Sequence, residues 1–207
     1  MNTTTRLRRS LSLFAIVFMF LVIAPNVHAQ NVASQKAYFG SDIEEILGPS
    51  GGVVLYGNTK TSNVGDLLIG FSMECALWTT TSNSAKKGGG KTTSSSRAAV
   101  NVTVHVDGNE AKPGKVVYCD RKQTVNLTFA SETEVITDVI TLEIFQETKN
   151  ANHFNFYYEN PGSEVHLVEV FVDSVVETSD DSPQVVLANT RAAIGKRSLV
   201  IQEYNNL

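Results

Sequence analysis

Residues 98–119 read AAVNVTVHVDGNEAKPGKVVYC. Val100, Val102, Val104 and Val106 alternate with Asn101, Thr103, His105 and Asp107, the period of two of a strand with one apolar and one wet face. Asp107-Gly108 supplies residues that tolerate positive φ, Pro113-Gly114 supplies a second turn, and the chain returns through Lys115, Val116, Val117 and Tyr118 to Cys119. The spacing predicts a pinned hairpin whose valine face is buried.

The same period recurs on either side. Leu67, Ile69, Phe71, Met73, Cys75 and Leu77 occupy every second position against Leu68, Gly70, Ser72, Glu74, Ala76 and Trp78, so Cys75 is expected to face the core. Cys119 is in phase with Val117, and the two sulfurs can meet between packed sheets. Only two cysteines are present, and in an oxidising compartment they are expected to close a Cys75–Cys119 disulfide. Further strands are predicted at 53–56, 125–129, 135–145, 153–158, 165–176, 184–188 and 198–203, and residues 37–47 fit a strand or one helical turn. The strands beginning near Asp66, Ala98 and Val165 carry the longest alternations and should be central. Asn160-Pro161-Gly162 suits a hairpin turn between the strands expected at 153–158 and 165–176. The mature chain has no amphipathic helical pattern and no fixed-period repeat. The fold expected is all-β, an antiparallel two-sheet sandwich, jelly-roll or immunoglobulin-like, with one disulfide.

Between the strands that carry Cys75 and Val100 lies TTTSNSAKKGGGKTTSSSR, a tract with almost nothing apolar to bury. Its composition predicts a flexible loop at about 80–97. Gly90-Lys91-Thr92 is not a phosphate-binding loop, because Ala85 stands where the motif needs its first glycine.

Arg6, Arg8 and Arg9 precede an apolar run from Leu11 to Ala24 that closes on Val27-His28-Ala29. That is the layout of a secretory signal, residues 1–29, too short in its apolar part to span a bilayer. Residues 30–207 are then a single β-sandwich domain, exported to the extracellular space or the cell envelope, with no stable membrane span after cleavage. Removing 29 of 207 residues leaves 178, and the three arginines that leave with them reduce 17 basic residues to 14 against 21 acidic, a balance of −7. An acidic domain of this kind is a poor partner for nucleic acid, whose affinity rests on clustered Lys and Arg.

No catalytic residue and no metal site can be assigned. His105, His153 and His166 share no ligand spacing, and Asp138, Glu143, Glu169 and Asp173 show no pairing that fixes the carboxyl separation of a glycosidase. Neither Asp180-Asp181 nor Asp107-Gly108-Asn109 matches a calcium loop, and no cofactor is implied. Residues placed on wet strand faces, and so possible ligand contacts, are His105, Asp107, Asn155 and Tyr157, the last an aromatic flanked by polar groups as in a sugar-stacking platform. Asn101-Val102-Thr103 and Asn126-Leu127-Thr128 are glycosylation sequons on the polar phase of their strands.

His153-Phe154-Asn155-Phe156, the run from Pro161 to Val170 (PGSEVHLVEV) and that from Gly195 to Ile201 (GKRSLVI) resemble a pattern in uncharacterised secreted β-sandwich proteins of prokaryotes, as does Val106-Asp107-Gly108 followed by Pro113-Gly114 and Cys119-Asp120-Arg121. The resemblance implies secretion and the sandwich and carries no assigned activity. The expected role is non-enzymatic, in surface recognition or in extracellular or envelope assembly, with an unknown protein or a glycan as partner and the oligomeric state open. The alternatives are a glycan-binding module and a secreted hydrolase.

Overall fold

The computed structural model describes residues 35–46, 50–61, 65–84, 90–129, 141–180 and 190–204, all within one compact unit, Ala33–Leu207. The expected signal segment 1–29 and the strand expected at 184–188 lie outside the described residues, as does 130–140. The described residues form strands and no helix, so none of them is a helix long and apolar enough to cross a membrane.

In the first sheet, β1 (Gln35–Gly40) and β2 (Glu44–Ile46) follow one edge of β10 (Arg191–Tyr204), whose other edge pairs with β4 (Asp66–Ser84), which in turn pairs with β8 (Thr141–Tyr158). The second sheet runs from β3 (Gly52–Lys60) through β9 (Val165–Asp180) to β5 (Gly90–Val106), with β6 (Asn109–Glu110) and β7 (Val116–Phe129) both along the far side of β5. All pairings are antiparallel. Among the eight long strands, each step along the chain crosses from one sheet to the other except that from β5 to β7. An immunoglobulin-like sandwich would pair several consecutive strands within a sheet, so this order is that of a jelly roll. The strands expected to be central, β4, β5 and β9, each have partners on both sides.

The core lies where the alternations put it. Leu67, Ile69, Phe71, Met73, Cys75 and Leu77 from β4 meet Val100, Val102, Val104 and Val106 from β5, joined by Val168, Val170 and Val172 of β9 and Leu199 and Ile201 of β10. Asp107 (φ 51°) and Gly108 (φ 82°) form the tight primed turn that Asp-Gly favours, and Val106 pairs with Asn109 across it.

Four expectations need correction. Cys119 is not in phase with Val117: Val100 pairs with Cys119 and Asn101 with Val117, so Tyr118 is an extra, bulged residue. Val117 is consequently 58% exposed while Cys119 is 4% exposed. The bulge lets Tyr118 and Cys119 both point inward. Cys119 joins Cys75 in the disulfide, with Cα atoms 6.7 Å apart, and the Tyr118 hydroxyl donates to the Phe71 carbonyl at 2.8 Å. Both links tie the first sheet to the second.

The tract expected as a loop at about 80–97 is paired strand over 80–84 and 90–97. β8 pairs with β4 as far as Ser84↔Thr141, and β7 pairs with β5 from Gly90↔Phe129 onward. Thr79, Thr81, Asn83, Thr92, Ser94 and Ser96 are buried on the inward phase, which makes one end of the interior polar. Side-chain hydrogen bonds satisfy part of it: Thr81 Oγ1 to Ser96 Oγ at 2.7 Å, Thr79 Oγ1 to Gln123 Oε1 at 3.0 Å, and Asn83 Nδ2 to the Thr92 and Val125 carbonyls at 3.1 and 3.2 Å, while the Thr92 and Ser94 hydroxyls and Asn83 Oδ1 are buried without a partner among the described residues.

The strands expected at 135–145 and 153–158 are, where described, one strand, β8, because polar residues 146–152 continue its ladder with β4. Finally, Asn160 (φ 43°) and Gly162 (φ 101°) do turn the chain, but β8 and β9 belong to different sheets, so the turn crosses the sandwich instead of closing a hairpin.

Candidate functional site

The four residues expected to face a ligand do not converge. Val104 and Val106 point into the core, so His105 stands on the outer face of the second sheet, its ring 4.6 Å from that of Phe171. Phe156 points inward from β8, so Asn155 stands on the outer face of the first sheet, hydrogen-bonded at 2.9 Å to His153, which bonds Ser72 in turn at 2.8 Å. The two lie on opposite sides of the molecule.

Asp107 and Tyr157 serve the fold. Asp107 Oδ2 accepts from His166 Nδ1 at 2.7 Å and Oδ1 from the Leu167 amide at 2.8 Å. Burial alone would raise the Asp107 carboxyl; the His166 and Leu167 hydrogen bonds outweigh it and hold the group below the usual carboxylate range. This Asp–His pair has the hydrogen bond of a catalytic dyad without its access, since His166 is 3% exposed. The half-buried Tyr157 donates its hydroxyl to the buried Asp66, and its backbone exchanges two 2.8 Å bonds with Lys112.

The sequons differ. Asn101 is 7% exposed and its amide nitrogen donates to Asp173 at 3.0 Å, so the folded chain does not present it. Asn126 is exposed on β7, with its oxygen accepting from Thr93 at 2.8 Å.

On the outer face of the second sheet, side chains are joined across the strands. Arg97 grips Asp120 through Nε and Nη2 at 2.9 and 2.8 Å with Glu177 at 3.5 Å beyond, Ser95 bonds Ser179, and Asp173 receives Lys115 at 3.0 Å as well as Asn101. The Arg97 hydrogen bond holds the Asp120 carboxyl below the usual range despite partial burial.

The first sheet is different. Its outer face carries a groove of about 590 Å³ over β10, β4 and β8. Strand register explains its shape. Ala193, Ala76 and Lys149 form one row across the three strands, Arg191, Trp78 and Glu147 the next, and Glu74 with Ala151 the row on the other side, beside Gly195. Ala76, Ala151 and Ala193 therefore make a low apolar floor in a sheet whose neighbouring side chains are long. Trp78, the single tryptophan of the chain, closes one end, with the Arg191 guanidinium 4.7 Å from its ring centroid. Lys149, paired with Glu147 at 3.1 Å, borders one side and Ile43 the other. At the far end, Glu74 Oε2 accepts from the Lys196 amide at 3.3 Å. A second hollow, about 410 Å³ between β1 and β3, is lined by Tyr38, Phe39, Val53 and Tyr56 and by no charged side chain.

None of Glu74, Trp78, Lys149 or Arg191 stood out in the sequence as a site residue. The legible signal was a lone tryptophan on the outward phase of β4; which residues of β8 and β10 lie beside it depends on register. Among the described residues, no three His, Cys, Asp or Glu side chains are grouped as metal ligands would be.

No protein-family model matches the sequence, and no curated protein matches it. Among solved structures, dimeric latent PorU from Porphyromonas gingivalis aligns with 87% of this chain and 14% of its own at 8% identity and a TM-score of 0.22. The C-terminal domain of EclA, a sugar-binding protein, aligns over 85% and 86% at 14% identity and a TM-score of 0.24. A family two carbohydrate esterase from Cellvibrio japonicus aligns over 84% and 36% at 12% identity and a TM-score of 0.16. This chain thus spans about a seventh of the first of these proteins and about a third of the last.

Proposed function

We propose that the chain is a non-enzymatic recognition module that works outside the cytoplasm and binds a glycan in the Trp78 groove. The observation that carries this reading is the groove itself: an open depression of ligand size with an apolar floor, one aromatic wall and a few fixed polar groups, the make-up of a small-molecule site. A sugar ring has an apolar C–H face and a rim of hydroxyls, which suit the alanine floor, the indole wall and the carboxylate and ammonium at the sides. The Cys75–Cys119 disulfide supports an oxidising, extracytoplasmic compartment. Relative to the sequence-based expectation, the aromatic contact moves from Tyr157 to Trp78.

The test is a glycan array together with retention on insoluble polysaccharides. Because Trp78 is the sole tryptophan, its fluorescence reports on the groove alone. Expected are retention on at least one glycan, a shift or quench of the emission by that glycan, and loss of retention in Trp78→Ala with an unchanged melting temperature. Absence of retention on every glycan, or retention that Trp78→Ala leaves intact, overturns the reading.

A further inference from the structure

Resting on the glycan reading of the Trp78 groove, we infer that its ligand is a neutral pyranose, one pair of whose neighbouring hydroxyls is held by the Glu74 carboxylate. The first ground is charge. The charged side chains that line the groove are Glu74 and Lys149, one of each sign, and Arg191 and Glu147, again one of each, flank Trp78 in its row. Lys149 already lies 3.1 Å from Glu147, and the Arg191 guanidinium lies over the Trp78 ring. A uronate or sialate would meet no net positive field, and would meet an anion at Glu74.

The second ground is how Glu74 is held. β10 shifts register against β4 between Ile194 and Arg197, a bulge that removes Gly195 and Lys196 from the ladder. The Lys196 N–H freed in this way donates to Glu74 Oε2 at 3.3 Å. Gly195 leaves room for the arrangement, since a Cβ there would come within 3.0 Å of the same oxygen. An ionised carboxylate accepts only, and its two oxygens offer about four lone-pair directions, of which the Lys196 amide uses one. What remains suits two adjacent donors, and vicinal hydroxyls on a six-membered ring are such a pair. The alanine floor between Glu74 and Trp78 then underlies the C–H face of that ring.

The floor also argues against a peptide added as a strand. β4 is paired on both edges, by β10 and β8, so its backbone offers nothing to an extended chain there.

The experiment is a titration of the oxidised full chain, followed by Trp78 emission and calorimetry, with methyl glycosides and short oligomers of glucose, galactose and mannose in one arm and glucuronate, galacturonate and sialyllactose in the other. Expected are saturable binding in the neutral arm that raised salt leaves unchanged, and a loss of about tenfold or more in Glu74→Gln. A deoxy analogue lacking one of the two hydroxyls should lose a similar factor on the wild type and little further on Glu74→Gln. The deoxy series on wild type does not depend on how the variant folds. Preference for the acidic sugars, salt-sensitive binding, or full affinity in Glu74→Gln while Trp78→Ala abolishes binding overturns this inference and leaves the glycan reading standing. No binding in either arm, with no glycan retained on the array, removes both.

Discussion

The Asp107 carboxylate and the His166 imidazole meet at 2.7 Å, and that bond ties the β5–β6 turn to the first residues of β9. A carboxylate only accepts, so His166 Nδ1 carries the proton. The Asp107 amide donates to the Leu167 carbonyl at 2.9 Å and its side chain receives the Leu167 amide, so one residue makes three links to the same strand end. Asp107→Ala should cost about 1–3 kcal/mol in urea denaturation, because it strands a buried imidazole N–H. Asp107→Asn, which tolerates positive φ and keeps an acceptor, should cost less.

The same pair sets an acid limit. The Asp107 carboxyl is held below its ordinary value, so its folded-state pKa lies under that of the unfolded chain. Its contribution to stability is complete above about pH 4 and is lost as pH falls through the folded value. Melting temperatures between about pH 5 and pH 3 should fall more steeply for the wild type than for Asp107→Asn. Equal slopes would remove Asp107 from the acid response.

Cys75 and Cys119 close a 44-residue separation between the sheets. Cys75→Ser, or reduction, should lower stability by roughly 4 kcal/mol on chain-entropy reasoning. Intact mass under non-reducing conditions should be two hydrogens below that of the free thiols. Two alkylatable thiols in the native protein would contradict the link.

Tyr38 staples the edge strands β1 and β3 by donating to the Asn58 carbonyl at 2.5 Å and accepting the Asn58 amide at 3.0 Å. Its ring lies where a side chain on Gly57 would begin. Gly57→Ala should therefore destabilise by about 1–3 kcal/mol, and by much less in a Tyr38→Ala background. Equal costs in both backgrounds would show that the ring is not what excludes the methyl group.

Thr81 and Ser96 share a buried 2.7 Å hydrogen bond between the sheets. Thr81→Val alone leaves the Ser96 hydroxyl unsatisfied and should cost about 1–3 kcal/mol, as should Ser96→Ala. The double variant should be close to wild type, because a pair of matched apolar groups needs no partner. Additive losses would refute the pairing. Slow hydrogen exchange at the amides of β4 and β5 in this region would confirm that the tract is strand.

The all-β class, the buried faces of β4 and β5 and the Asp107-Gly108 turn were readable in the chain because each is a local matter, and the cysteine pair because the chain has only two cysteines. Which side of a strand meets water repeats every second residue, and a primed turn depends on the φ its own residues tolerate. Where satisfaction of a residue comes from elsewhere, local reading failed. Thr79 to Asn83 and Thr92 to Ser96 look like a solvated loop, yet their inward phase is interior, where Thr79, Thr81, Asn83 and Ser96 find hydrogen-bond partners on other strands. Cys119 faces inward only through an extra residue at Tyr118, which no alternation announces. The Trp78 groove joins β4, β8 and β10, and its floor of Ala76, Ala151 and Ala193, residues far apart along the chain, exists only once register has set them side by side. Register sums every loop length and bulge between strands, so a one-residue change would turn the alanines inward; tertiary packing makes that choice, by keeping the apolar phase buried.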